Sequence, residues 1–165
     1  MNRKHYGNSR MKHWENHLTE IAGWDHSTDK TKTHIWSKKY TVDLKSYKET
    51  GGKIIHSQYN VYMDGSKMSE GVGAGLIIIT GRTTLLKEKY KLPCFCSVFQ
   101  AEMLAIRKAA EKLLELDEIH YVKIFSDSQA ALLALDTPMI TSKITAETKL
   151  LLNTCLLYTS PSPRD

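Results

Sequence analysis

Asp64 follows the apolar run Val61-Tyr62-Met63 and is followed at once by Gly65, Ser66 and Lys67. It stands where a strand would be entering the core. Asp127 has the same kind of place, behind Ile124, Phe125 and Ser126 and ahead of Ser128. Between them, Glu102 lies three residues after Phe99 and four before Ile106, so helical spacing turns it toward an apolar arc. A carboxylate in such surroundings is costly in its ionised form unless a cation or a proton meets it. Three of them brought to one point suit hard divalent ions, because oxygen-only ligands favour Mg²⁺ or Mn²⁺ over zinc. Two such ions about 4 Å apart stabilise the attacking and leaving oxygens of a phosphodiester. Blander roles compete for each residue alone. Asp64-Gly65 suits a turn, and Asp127-Ser128 suits a helix N-cap.

The elements that must position these groups follow from periodicity. "QYNVYMDGS" (58–66) reads as a strand and "AGLIIIT" (74–80) as a second, joined by the turn "GSKMSEGVG". In "TTLLKEKYKL", Leu86, Glu88, Tyr90 and Leu92 alternate with Lys87, Lys89 and Lys91, which predicts a third strand with one solvated face. Short connections make these three an antiparallel meander. Pro93 ends the run, and Ser97 with Gln100 forms a capping-box start to a helix over 97–116. Phe99, Met103, Ile106, Ala110 and Leu113 form its apolar face, and Arg107, Lys108, Glu111, Lys112 and Glu115 its charged one. "YVKIFSDS" predicts a further strand, "QAALLAL" a second helix stopping before Pro138, and "ITAETKLLLNTCLL" a third. A strand, a long helix and another strand make a crossover unit that pairs its strands in parallel. The expected fold is α/β: a mixed sheet of three antiparallel strands plus a parallel strand, flanked by helices. In it the strands carrying Asp64 and Asp127 are neighbours, and the helix carrying Glu102 crosses between them.

Composition sets the remaining bounds. The 165 residues, 41% hydrophobic and 25% charged, suffice for one domain with a real core. No apolar run approaches the ~20 residues of a membrane span, and no secretory signal follows the basic start. Cys94, Cys96 and Cys155 suit neither a disulfide framework nor a four-cysteine zinc site, so an intracellular, reducing setting is expected. Residues 1–58 hold 11 basic and 6 acidic residues, whereas the rest balances at 12 of each. They also hold six of the seven histidines and all three tryptophans. This divides the chain into a basic leader or linker (1–58), suited to a polyanionic partner or merely solvated, and a domain over 59–155. Within the leader, "DHSTDKTKTH" and "ETGGK" read as loop. His13 and His17 have helical i, i+4 spacing but no third zinc ligand nearby, so the pair reads as coincidence. Gly71, Gly73 and Gly75 of "GVGAG" fall between predicted strands, not between a strand and a helix. They read as hairpin flexibility and close packing rather than as a phosphate loop.

"VYMDGS", "FQAEMLAI" and "FSDSQAAL" resemble the three leading motifs of type 1 ribonuclease H, over about residues 59–152. The phrasing "DGSK…GVGAG" and "FQAE" looks most like the ribonuclease H domain of non-LTR retrotransposon polyproteins. The resemblance implies a metal-dependent endonuclease that hydrolyses the RNA strand of RNA–DNA hybrids, leaving a 3′-hydroxyl and a 5′-phosphate. It implies Asp64, Glu102 and Asp127 as the catalytic, metal-binding residues with two Mg²⁺ (or Mn²⁺) ions. Gly65 and Ser66 would lie beside the scissile strand and Gln129 in the minor groove. An upstream reverse transcriptase in a parent polyprotein is implied as well. The resemblance also implies a fourth carboxylate late in the domain, behind a last strand and a His-bearing loop. Here the chain reads "LLYTSPSPRD" instead, like translated adapter sequence. Residues 156–165 are therefore expected to be an artefactual tail on an incomplete domain, and activity to be weak or absent. Two other classes compete. One is a non-catalytic nucleic-acid-binding module of the same fold. The other is a transposase or integrase, whose D…D…E order differs from the D…E…D found here.

Overall fold

The computed structural model describes residues 29–44, 57–116 and 121–157. The His13/His17 pair, the "ETGGK" stretch and residues 158–165 lie outside them. Three long strands come first in the domain: β2 (Tyr59–Met68), β3 (Gly71–Thr80) and β4 (Thr83–Leu92). Helix α1 (Val98–Leu114) follows, then β5 (Val122–Phe125), α2 (Gln129–Asp136), β6 (Met139–Ser142) and α3 (Lys143–Leu157). A short strand, β1 (Lys30–His34), precedes them all. The main sheet has the order β4-β3-β2-β5, with β5 parallel to β2 and the other pairs antiparallel. This is the expected mixed sheet of three antiparallel strands plus a parallel one.

The first hairpin is tighter than expected. The turn predicted over 65–73 shrinks to Ser69 and Glu70, because β2 runs on to Met68 and β3 begins at Gly71. Backbone pairing continues through Gly65↔Ala74, Ser66↔Gly73 and Lys67↔Val72. The second hairpin turns at Gly81, whose φ of 57° is the left-handed conformation that glycine adopts without a Cβ penalty.

Alternation sorts the sheet into two faces. Val61, Met63, Leu76, Ile78, Tyr90 and Leu92 are buried against the helices. Their neighbours Tyr62, Asp64, Lys87 and Lys89 are exposed on the other side. Helix α1 starts with the predicted capping box: Ser97 Oγ accepts from Gln100 N, and the Gln100 side chain accepts from Ser97 N. Its buried face is broader than the predicted stripe, taking in Ala101, Leu104 and Ala105, because α1 packs on the sheet on one side and on α3 on another.

Residues 29–44, part of the basic leader by composition, pack against the domain. "KTKTH" is β1 and not the loop expected; it pairs antiparallel with β6, another short strand the sequence did not signal. Asp29 holds the start of α3: its carboxylate accepts from Ile144 N at 3.0 Å and Ser142 Oγ at 2.8 Å, and its carbonyl accepts from Lys143 N at 2.8 Å. Tyr40 and Val42 lie against the core, and the Tyr40 hydroxyl donates to Leu135 O at 2.9 Å. No helix among the described residues is long and apolar enough to cross a membrane.

Candidate active site

The parallel pairing of β2 with β5 sets the site. It aligns Tyr62 with Phe125, so Asp64, inside β2, comes level with Asp127, two residues past the end of β5. Helix α1 crosses beneath them, and Glu102 rises from its first turns at only 3% exposure. One carboxylate oxygen from each of Asp64, Glu102 and Asp127 lies within 4.8 Å of the others. The three residues singled out by sequence therefore do converge.

Their surroundings differ from expectation in one respect. Asp64 does not enter the core: Val61 and Met63 point inward, so alternation leaves Tyr62 and Asp64 exposed on the other face. Only Glu102 is buried. Two donors hold it. Gly65 N–H donates to Glu102 Oε1 at 2.8 Å, and Ser126 Oγ donates to Oε2 at 3.5 Å. Burial pushes the Glu102 carboxyl above its ordinary pKa, the negative charges of Asp127 and Asp64 push it further, and the two donors oppose the rise. Ser128, not Asp127, caps α2, its Oγ accepting from Ala131 N at 3.3 Å. Among the described residues neither Asp64 nor Asp127 has a hydrogen-bond donor or an ion-pair partner.

Gly65 is required by close approach. A Cβ there would meet Glu102 N at 2.7 Å and Glu102 Cγ at 2.9 Å. Nothing larger than glycine fits while Glu102 stays in place. Its N–H is committed to Glu102, so the expected contact of Gly65 with a nucleic-acid strand is left to the rest of its backbone. Ser66 is exposed on the same face as Asp64, and Gln129 is exposed at the first position of α2. Neither is a member of the carboxylate cluster. Ser126 was missed by sequence reading, since a serine before an aspartate carries no signal of its own. Gly73 and Gly75 correct another reading. They lie inside β3, and a Cβ would come no closer than 3.6 Å and 3.9 Å to its neighbours, so close packing does not require them.

The donor set fits a hard divalent cation. Two like charges this far apart repel by roughly 3–4 kcal/mol at an effective dielectric of 20, before screening of the two exposed members. Three such pairs are comparable with the whole stability of a domain, about 5–15 kcal/mol. Without a cation, burial and the neighbouring charges push Glu102 toward its protonated form. Asp64, Glu102 and Asp127 would hold such an ion through one carboxylate oxygen each. The cluster opens into a recess of about 330 Å³ lined by Tyr62, Met63, Asp64, Phe125, Ser126 and Asp127.

No protein-family model and no curated protein matches the chain. Among solved structures, the RNase H1 of the halophilic archaeon Halobacterium salinarum NRC-1 is similar, with a TM-score of 0.48 and 16% identity. The match covers 60% of this chain and 76% of that one.

Proposed function

We propose that the chain is a type 1 ribonuclease H-like domain whose Asp64, Glu102 and Asp127 bind Mg²⁺ or Mn²⁺ and hydrolyse the RNA strand of RNA–DNA hybrids. One observation carries this reading: three carboxylates from distant parts of the sequence meet within 4.8 Å, with no ion-pair partner among the described residues. The motifs "VYMDGS", "FQAEMLAI" and "FSDSQAAL" support the choice of reaction. A bound ion would polarise a phosphodiester oxygen and lower the pKa of attacking water. The chain's own part is to aim the ligands. Gly65 N–H and Ser126 Oγ orient Glu102, and the sheet pairing fixes Asp64 beside Asp127. Ser66 and Gln129, both exposed, would touch the substrate backbone and the minor groove. The phrasing "DGSK…GVGAG" supports an origin in a non-LTR retrotransposon polyprotein with a reverse transcriptase upstream.

Among the described residues no fourth acidic side chain joins the cluster; Asp136 instead pairs with Lys38. A second ion would be held less firmly, and cleavage is expected to be slow. The same observation favours a second reading, a hybrid-binding module that does not cut. One experiment separates them. The full chain is incubated with a hybrid labelled on its RNA strand, while Mg²⁺ or Mn²⁺ binding is followed by the rise in Tm. The nuclease reading expects metal-dependent RNA cleavage, a metal-induced Tm rise, and loss of both in Asp64→Asn. Salt-sensitive hybrid binding without cleavage supports the binding module. A Tm indifferent to metal overturns the metal site.

A further inference from the structure

The backbone around β1 is fastened to the domain on both sides of the strand. Before it, Asp29 is tied to Ser142 and to the first turn of α3. After it, Ile35 N–H donates to Pro138 O at 2.9 Å. The Asn153 side chain then accepts from Lys39 N–H at 3.0 Å and donates to Ser37 O at 2.8 Å. Along this fixed backbone alternation half-buries Thr31, Thr33 and Ile35 and leaves Lys30, Lys32, His34 and Trp36 exposed. His34 and Trp36 stack with ring centroids 5.7 Å apart and planes 11° from parallel, and Trp36 is 77% exposed. Strand register sets Met139, 51% exposed, opposite His34. The ammonium groups of Lys30 and Lys32 have no ion-pair or hydrogen-bond partner among the described residues. The acid next to them in sequence, Asp29, is already committed to α3.

We infer that this outward stripe of β1 binds an unpaired stretch of nucleic acid. A base extends the His34–Trp36 stack with the Met139 thioether beside it, and Lys30 and Lys32 meet the phosphates. Charge complementarity selects a polyanion over a second copy of this chain, which is itself net positive at +5. Parallel rings select a base over an acidic peptide, because a base has a π-face to stack and a carboxylate does not. They also select unpaired bases over a duplex, whose base faces are occupied by their own stacking. Stacking and phosphate contacts ignore the 2′-hydroxyl, so RNA and DNA strands are both accommodated. Fixing the strand backbone in advance lowers the ordering cost of binding. None of these five residues lines the carboxylate recess, so the stripe requires neither metal nor cleavage and leaves the duplex to the carboxylate site.

The test is fluorescence anisotropy of the full chain with labelled single strands of roughly 12 nucleotides, RNA and DNA in separate arms, in chelator. Chelator keeps a failure of the nuclease reading from deciding this one. Replacing His34 and Trp36 together by Leu is expected to weaken single-strand binding at least tenfold. His34→Phe with Trp36→Tyr, which keeps two rings, is expected to preserve it. Lys30→Gln with Lys32→Gln should reduce the slope of log affinity against log salt by about 0.7 per lysine. A blunt RNA–DNA hybrid, in a third arm, should lose less than twofold in the leucine variant. That variant should also keep the Tm of the parent, since the rings it removes are exposed. Undiminished single-strand binding by the leucine variant, an unchanged salt slope, or an equal loss for the hybrid would each overturn the stripe. So would poly-glutamate competing as well as an unlabelled strand, or a concentration-dependent dimer that the leucine variant abolishes.

Discussion

The two faces of the main sheet are made by the same four strands and could hardly differ more. On one, Val61, Met63, Leu76, Ile78, Tyr90 and Leu92 are buried, and α1 packs across β2 and β3. On the other, one residue along in each strand, stand Tyr62, Asp64, Ile77 and the β4 lysines. The first face holds the chain together; the second carries charge, rings and bare backbone. Glu102 joins the two, since it is buried with the first and its carboxylate reaches the acids of the second.

The contrast is broken most directly by substitution in β3. Leu76, 1% exposed, and its neighbour Ile77 differ by one position and one face. Leu76→Ala is expected to cost about 2–5 kcal/mol in urea unfolding. Ile77→Ala should cost only about 1 kcal/mol. Equal costs would mean that the second face is covered. Gly65→Ala tests the passage between the faces. Its Cβ would press on the Glu102 backbone, and an expected loss of about 1–3 kcal/mol should come with loss of the metal-induced Tm rise. Retained metal response would show that Glu102 does not depend on Gly65.

The smallest effect is the most telling in sign. The Glu102 pKa is raised, by burial first and by Asp127 and Asp64 next. A group with a raised folded pKa contributes stability fully present below its unfolded value of about 4.3 and lost as pH rises through the folded value. Without metal, the protein should therefore melt lower as pH climbs out of the carboxylate range toward neutrality. Glu102→Gln should flatten that slope and raise the neutral-pH Tm, while keeping an oxygen for Gly65 N–H. A lower Tm in that variant, measured in chelator, would show that the ionised carboxylate stabilises the fold by itself.

Much of this was readable from residue order. The meander and α1 announced themselves through strong alternation, a clear capping box and Pro93, and the parallel β5 followed from the crossover rule. The three acids emerged because Glu102 broke its helix pattern. What escaped detection was long-range or depended on atomic fit. Strands β1 and β6 are short, five and four residues, and each is defined by a partner more than a hundred residues away. The side on which Asp64 lies depends on which of two alternating sets the helices cover. The need for Gly65, and the absence of such a need at Gly73 and Gly75, follows from how near a helix comes to each strand, which no local pattern reports.

Asp29 sets a limit on how this protein can be shortened. The first turn of the last helix borrows its cap from a side chain 115 positions earlier in the chain. A version cut to begin at Tyr59, where composition draws its line, would lose that cap, worth ~1 kcal/mol. It would also strip the only strand paired with β6 among the described residues and uncover the flank against which Tyr40 lies. Anyone preparing residues 59–157 by themselves should carry the upstream segment along, because the last helix is fastened by Asp29.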